Sequence, residues 1–362
     1  MTHGEYARAL KPLLPREAFE PAPRKLILAC VHLAVIVLGW VSFRIVSPTY
    51  WPLISLAIGH SLACVAFCAH ELSHGIVTRN KRVINFFEPF FWGLNFIPPT
   101  MWRRLHNESH HVTPNGENDP DRRFTIEEKS PATIAYTAVF FPTRWLKYNF
   151  VCFLHFLTYI GRHALAVFYP GDMKPAINTF KPHYSASDRL RIFREIGIIL
   201  LLQGLIFLIA GRSWTAYLWA GPLAFMFTSM IVMIYIFTNH FLNPLGNEQD
   251  PLAATTSVIV PELFNRIHFN FSFHTEHHLF PTVNSEYYPL VSKLLQEKFG
   301  PHYNRLAISE AWSRLWSLEF FAPSLQEAPE SRKAMPYDEL MRVVDRPEEG
   351  AERIASPART AR

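Results

Sequence analysis

Residues 51–69, WPLISLAIGHSLACVAFCA, carry no charge and approach the ~20 residues that an α-helix needs to cross a hydrocarbon core. HELSH follows at once, at 70–74. The chain thus runs from an apolar span straight into a pair of imidazoles. A second uncharged run, LILACVHLAVIVLGWVS at 26–42, lies just upstream between Lys25 and Arg44. Two more apolar runs come later, EIGIILLLQGLIFLIA at 195–210 and WTAYLWAGPLAFMFTSMIVMIYIFT at 214–238. The 195–210 run is short for a span unless Ile192 and Phe193 extend it. The turns inside each pair are brief, SPTY at 47–50 and GRS at 211–213. The expected fold is an all-α integral membrane protein with four transmembrane helices in two hairpins.

Composition agrees. Of 362 residues, 49% are hydrophobic, 14% aromatic and only 18% charged, where a soluble domain carries about a quarter. Lys and Arg mark the inner ends of spans. Arg8, Lys11, Arg16, Arg24 and Lys25 precede the first span, Arg79, Lys81 and Arg82 follow the second, and Arg189, Arg191 and Arg194 precede the third. Only Arg44 and Arg212 stand on the other side, so the N-terminus is expected inside. The net charge of +5 follows these span ends and forms no single stripe, which argues against nucleic-acid binding. The first 25 residues lack the apolar core of a cleavable signal peptide. Cys30, Cys64, Cys68 and Cys152 form no CxxC and read as buried free thiols. The expected organisation is a cytosolic N-terminal segment 1–25, a membrane domain 26–305, and a cytosolic C-terminal extension 306–362, Pro-, Glu- and Arg-rich and mobile from about 323. Residues 83–101 and 131–170 are apolar but interrupted by charge or proline, as segments are that enter a membrane protein without crossing.

Three histidine clusters follow this topology: HELSH at 70–74, HNESHH at 106–111 and HTEHH at 274–278. All three are expected on the inner side. On a helix His70 and His74 share a face, as do His106 and His110 with His111 to one side, and His274 lies three and four residues from His277 and His278. His240 ends the fourth span as His70 ends the second, and makes a ninth candidate. Imidazole suits zinc, copper, iron and nickel alike. Nine ligands exceed what one ion uses and fit two ions with four or five nitrogens each. Two divalent ions on neutral imidazoles leave about four charges to be compensated. Glu71, Glu108, Glu276, Asp119 and Asp121 are the expected partners of imidazole N–H groups. HELSH also matches the HExxH string of zinc proteases, but one zinc would leave the other clusters unused. The other eight histidines (His3, His32, His60, His155, His163, His183, His268 and His302) read as packing, surface or interface residues, His60 and His268 least securely.

HELSH, HNESHH and HTEHH, with HHVTPNGENDPDR after the second and NFSFHTEHHLFPTVNSEYYPLV around the third, resemble the membrane fatty acid desaturase superfamily. The resemblance spans about residues 26–305 and implies a cytosolic helical cap that holds a histidine-rich di-metal site. It implies oxygen-dependent desaturation of a lipid-bound or carrier-bound fatty acyl chain by two iron ions, with O2 as co-substrate. It also implies the nine metal ligands His70, His74, His106, His110, His111, His240, His274, His277 and His278. One position departs. The acyl-CoA desaturase branch has an Asn one turn before the late-span histidine, where this chain has Ile236, with Asn239 and Asn270 as the nearby amides.

The chain shows no flavin, nicotinamide, haem or iron–sulfur signature, so electrons are expected from a separate ferredoxin or cytochrome b5-type donor. Arg79, Lys81, Arg82, Arg103, Arg104, Arg122 and Arg123 are candidates to attract it, or serve as topology signals. Two other functions fit parts of the pattern. A di-iron hydroxylase or ketolase of lipids or carotenoids would share the site. A non-enzymatic membrane metal-binding protein would need polar residues along its spans, where only His32, His60 and Glu195 occur. The expected location is a multi-pass protein of a bacterial inner membrane with a cytoplasmic active site.

Overall fold

The computed structural model describes residues 3–117, 119–141, 155–168, 184–246, 250–300, 302–319 and 321–323. The extension expected to be mobile lies, beyond residue 323, outside the described residues, as do 142–154 and 169–183 of the connecting region. In chain order the helices are α1 (His3–Leu10), α2 (Lys25–Ser42), α3 (Trp51–Ser73), α4 (Lys81–Leu94), α5 (Pro99–Leu105), α6 (Pro131–Phe140), α7 (His155–Phe168) and α8 (Ala186–Ile209). They continue with α9 (Trp214–Leu218), α10 (Ala224–His240), α11 (Pro251–Ala254), α12 (Glu262–Ile267), α13 (His274–Leu279), α14 (Tyr288–Phe299) and α15 (Ile308–Trp316). Among the described residues, strand structure is confined to a Thr125–Ala322 bridge and a parallel pair of three-residue strands, β1 (Ser257–Ile259) and β2 (Arg305–Ala307), with Val258 opposite Leu306.

Among the described residues, four helical stretches are long and apolar enough to cross a membrane: Lys25–Ser42, Pro48–Ser73, Ala186–Ile209 and Trp214–His240. The third begins nine residues before the 195–210 run, because Ser185 accepts from the Asp188 backbone N–H and so starts the helix early. α2 buries Lys25, Ala29, His32, Ile36 and Trp40, one face at helical spacing, and leaves Ile27, Val31 and Leu38 exposed. α8 likewise exposes Phe193, Leu200, Leu201 and Leu205. Such apolar surface is stable against lipid and not against water.

α3 and α10 form the inner pair. Gly59 lets them touch: a Cβ there would run into the Ala224 carbonyl and come within 2.6 Å of Phe227 Cβ. Between α9 and α10 a π-helical turn at Trp219–Leu223 accommodates Pro222. Its carbonyls receive donors from neighbouring helices, Ser55 Oγ on Trp219 O (2.7 Å) and Trp40 Nε1 on Ala220 O (3.1 Å). Arg44 donates to the last carbonyls of α8, Leu208 O and Ile209 O, which gives this outer-side cation a capping role.

α4 and α5 resolve the ambiguous stretch 83–101. They descend and return without crossing. The turn between them reaches Leu62, midway along α3, where Asn95 Nδ2 donates to the Leu62 and Phe91 carbonyls. Glu195 on α8 holds the start of α5, accepting from Thr100 N (3.0 Å) and Thr100 Oγ1 (2.6 Å). Glu88 on α4 accepts from Ser73 and pairs with Arg103. Glu88 and Thr100 of this apolar stretch thus find their partners on neighbouring helices.

The N-terminal segment docks on the side where α3 and α10 end. Tyr6 of α1 is fully buried edge-on against Phe299 of α14, and Asn284 N donates to Ala18 O (2.8 Å). α15 packs against α10 and β1 with Ala311 and Leu315 buried.

Candidate metal centre

α3 and α10 end level with each other, and their last turns carry His70 and His240. Between and beside them stand the segment after α5 and helix α13. The second box is not an α-helix. Residues His106–His110 form a π-helical turn, closed by His111 N on His106 O (3.0 Å). A turn closed five residues apart aligns His106 with His111. His106 and His110 share a side as expected, their rings stacked at 5.2 Å, but they belong to different histidine groups.

The nine histidines sort into two groups. His70, His74, His106, His111 and His277 form one; His110, His240, His274 and His278 form the other, with the ligand atoms of each group within 4.8 Å of one another. The second and third boxes each serve both groups. In the first, Nε2 atoms meet at 2.8 Å (His70–His106), 3.1 Å (His106–His111) and 3.0 Å (His111–His277). In the second, His274 Nε2 lies 2.6 Å from His240 and 3.1 Å from His278. The groups adjoin, with the His111 and His278 rings stacked at 4.3 Å.

Seven of the nine are buried, and His74 and His111 are half-buried. Burial, then the neighbouring imidazoles, pushes His106, His111, His277 and His278 well below the usual histidine range; burial and His110 do the same to His274. His74 falls to about 3. These rings are neutral and carry a lone pair.

Do the residues fit a metal? A neutral ring nitrogen has one proton or one lone pair, yet His106, His111 and His274 each face two other ring nitrogens. His74 Nε2 is buried with no hydrogen-bond partner among the described residues. With metal–imidazole bonds of about 2.0–2.1 Å, donors at right angles stand about 2.8–3.0 Å apart. The separations of 2.8, 3.0 and 3.1 Å lie at that spacing, and His240–His274 at 2.6 Å is shorter. Both groups fit a cation, and all-imidazole donors suit a transition metal.

Of the five acids expected to orient imidazoles, one pair does so. Asp119 Oδ1 accepts from His110 Nδ1 at 2.9 Å, and Asp121 lies 3.5 Å from the same nitrogen. Burial works against charge on His110 too, but these two carboxylates outweigh it and hold its pKa above the ordinary value. Asp119 is itself fixed by the backbone N–H of Asn115 (2.6 Å) and Asp121 (2.8 Å). The three glutamates do other work. Glu71 pairs with Lys25 at 2.7 Å, Glu108 is exposed and pairs with Arg104, and Glu276 accepts from Ser257 (2.5 Å) and Tyr303. Helical spacing put these acids beside the histidines in sequence, but each points away from them.

Tyr288 was missed. Its hydroxyl lies 3.1 Å from His277 Nδ1 and donates on to Phe280 O (3.4 Å). It belongs to α14, and no spacing rule connects it to the third box. Of the two amides near Ile236, Asn270 is committed to Ser285 O (2.9 Å), while Asn239 is buried with both side-chain polar atoms unpartnered among the described residues.

Beside the first group lies a cavity enclosing about 620 Å³ of empty space, part of it open to the outside. His70, His106 and Asp121 form its polar end; Trp92, Trp102, Phe156, Val232, Met233 and Ile236 line the rest. Met233 stands seven residues before His240 on α10, about 10 Å along the helix. Of the seven basic residues considered for a partner, Arg103, Arg104 and Arg122 pair with the chain's own carboxylates, whereas Arg79, Lys81 and Arg82 are exposed. A family model described as fatty acid desaturase matches residues 45–309, a stretch that contains all nine histidines.

Proposed function

The chain belongs to the fatty acid desaturase family, and from that premise we propose that it inserts a double bond into a fatty acyl chain, using O2 and two iron ions held by its nine histidines. The observation that carries the reading is the apolar cavity opening onto a buried two-group imidazole site. The five-histidine group (His70, His74, His106, His111 and His277) would hold one iron and the four-histidine group (His110, His240, His274 and His278) the other. Bound there, the iron pair supplies the O2 activation and hydrogen removal from an unactivated methylene that no side chain provides.

The chain's own residues do the positioning. Trp92, Trp102, Phe156 and Met233 give the acyl chain a dry, shaped channel and keep water from the reacting carbons. Asp119 holds the proton on His110 Nδ1, leaving Nε2 as the donor atom. Tyr288 does the same for His277. Ile236 presents an alkyl surface to the cavity where the acyl-CoA branch has an amide. Electrons come from an external ferredoxin or cytochrome b5-type protein, with Arg79, Lys81 and Arg82 as the exposed cations for an acidic partner. The histidines share a side with the Lys- and Arg-rich span ends, which supports a cytoplasmic site in a multi-pass protein of a bacterial inner membrane.

The test is product analysis. Membranes containing the protein, supplied with acyl lipid, O2 and a reduced donor, should yield acyl chains two mass units lighter. Gain of one oxygen would make the enzyme a hydroxylase or ketolase. No change to any lipid would remove the reading.

A further inference from the structure

A second cluster of metal-ligating side chains lies deeper in the helices. His60 and Cys64 stand ten and six residues before His70 on α3, about 15 and 9 Å further along the helix. His32 reaches them from α2, and the three offer ligand atoms that all lie within 4.8 Å of one another. His268, after α12, stands beside His60 without joining the three as a fourth donor, its Nε2 3.2 Å from His60 Nε2. His32, Cys64 and His268 are buried and His60 is half-buried.

These contacts exceed what ordinary packing requires. His32 Nδ1 lies 3.3 Å from Ser61 Oγ, but its Nε2 is buried with no partner among the described residues. His268 Nδ1 meets Tyr235 OH at 2.9 Å, so a proton on Nδ1 leaves the Nε2 lone pair facing His60. Cys64 Sγ is 3.9 Å from His60 Nε2. A trigonal site with metal–nitrogen bonds of about 2.0–2.1 Å and a metal–sulfur bond of about 2.3 Å has nitrogen–sulfur edges of about 3.7–3.8 Å. The His60–Cys64 separation of 3.9 Å is close to that edge.

We propose that His32, His60 and Cys64 form a separate site for a thiophilic closed-shell cation, copper(I) in preference to zinc. Charge decides the preference. One thiolate and two neutral imidazoles neutralise a monovalent ion but leave a divalent one with a net charge, which is costly between apolar helices. Thiolate and imidazole together suit copper(I) and zinc. Occupied, the site pins α2 to α3.

Sulfur separates this site from the nine-histidine centre, which has none. Detergent-purified, iron-loaded protein is titrated with copper(I) or with zinc, then examined by metal analysis and X-ray absorption. One copper per chain is expected, with a sulfur neighbour at about 2.3 Å. Cys64→Ser should lose the sulfur neighbour while iron content stays unchanged, and Cys68→Ser should keep it. His32→Gln, close in shape, should lower copper retention against a copper(I) chelator at least tenfold. Zinc bound with the same sulfur dependence would keep the site and overturn the charge argument. No sulfur-bound metal in the wild type would reduce the cluster to a hydrogen-bonded plug, and a sulfur neighbour surviving Cys64→Ser would assign it to another thiol. Either result overturns the proposal.

Discussion

Replacing Lys25 by Met should destabilise the protein far beyond the loss of one hydrogen bond. Lys25 opens α2, and its ammonium sits 2.7 Å from Glu71 and 2.6 Å from Ser285 Oγ. The two charged side chains are 6% and 4% exposed. One contact therefore ties the first span, the turn carrying His70 and His74, and the chain just after the third box. Removing one partner of a buried pair leaves an uncompensated charge and costs about 3–5 kcal/mol. At roughly 2 °C per kcal/mol for a chain of this size, the unfolding midpoint should fall by about 6–10 °C. The double variant Lys25→Met/Glu71→Gln leaves no buried charge and should recover at least half of that loss. Tryptophan fluorescence during heating in detergent measures all three proteins. A single variant as stable as wild type, or a double variant less stable than the single, would refute the account of this pair.

Three further perturbations test other parts. Asp119→Asn keeps the shape but weakens the grip on the His110 ring, and should lower iron affinity roughly 10- to 100-fold in a chelator competition. Gly59→Val forces α3 away from α10 at the Ala224 carbonyl and should destabilise by about 1–3 kcal/mol, read as a lower melting midpoint with intact iron stoichiometry. Met233→Trp fills the cavity some two helical turns from the metal level, and should shift products towards shorter acyl chains with iron content unchanged.

The membrane fold was legible because hydrocarbon imposes its own length and composition on a span. Long apolar runs located all four helices, and His70 and His240 followed from where two of them end. Spacing was less informative about the second box. The π-helical turn at His106–His110 arises from closure five residues apart, which no α-helical wheel encodes, so the sharing of ligands between groups was hidden. The acids misled for a related reason. Glu71, Glu108 and Glu276 sit beside histidines in sequence but on other faces, where Lys25, Arg104 and Ser257 with Tyr303 take them. Asp119 works because its loop folds back onto His110, and Tyr288 because α14 packs against α13. Contacts of this kind belong to tertiary structure. The descent of α4 and α5 was visible only as an interrupted apolar stretch, since Asn95, Glu88 and Glu195 find their partners on other helices.

The central claim is that nine imidazoles hold two irons as groups of five and four. Metal analysis of gently purified protein from iron-replete cells tests it most directly, with His110→Ala and His277→Ala as one variant from each group. The account requires about two irons per chain, and loss of iron from both variants while the helical content persists. A single zinc in the wild type, or two irons retained by His277→Ala, would contradict it.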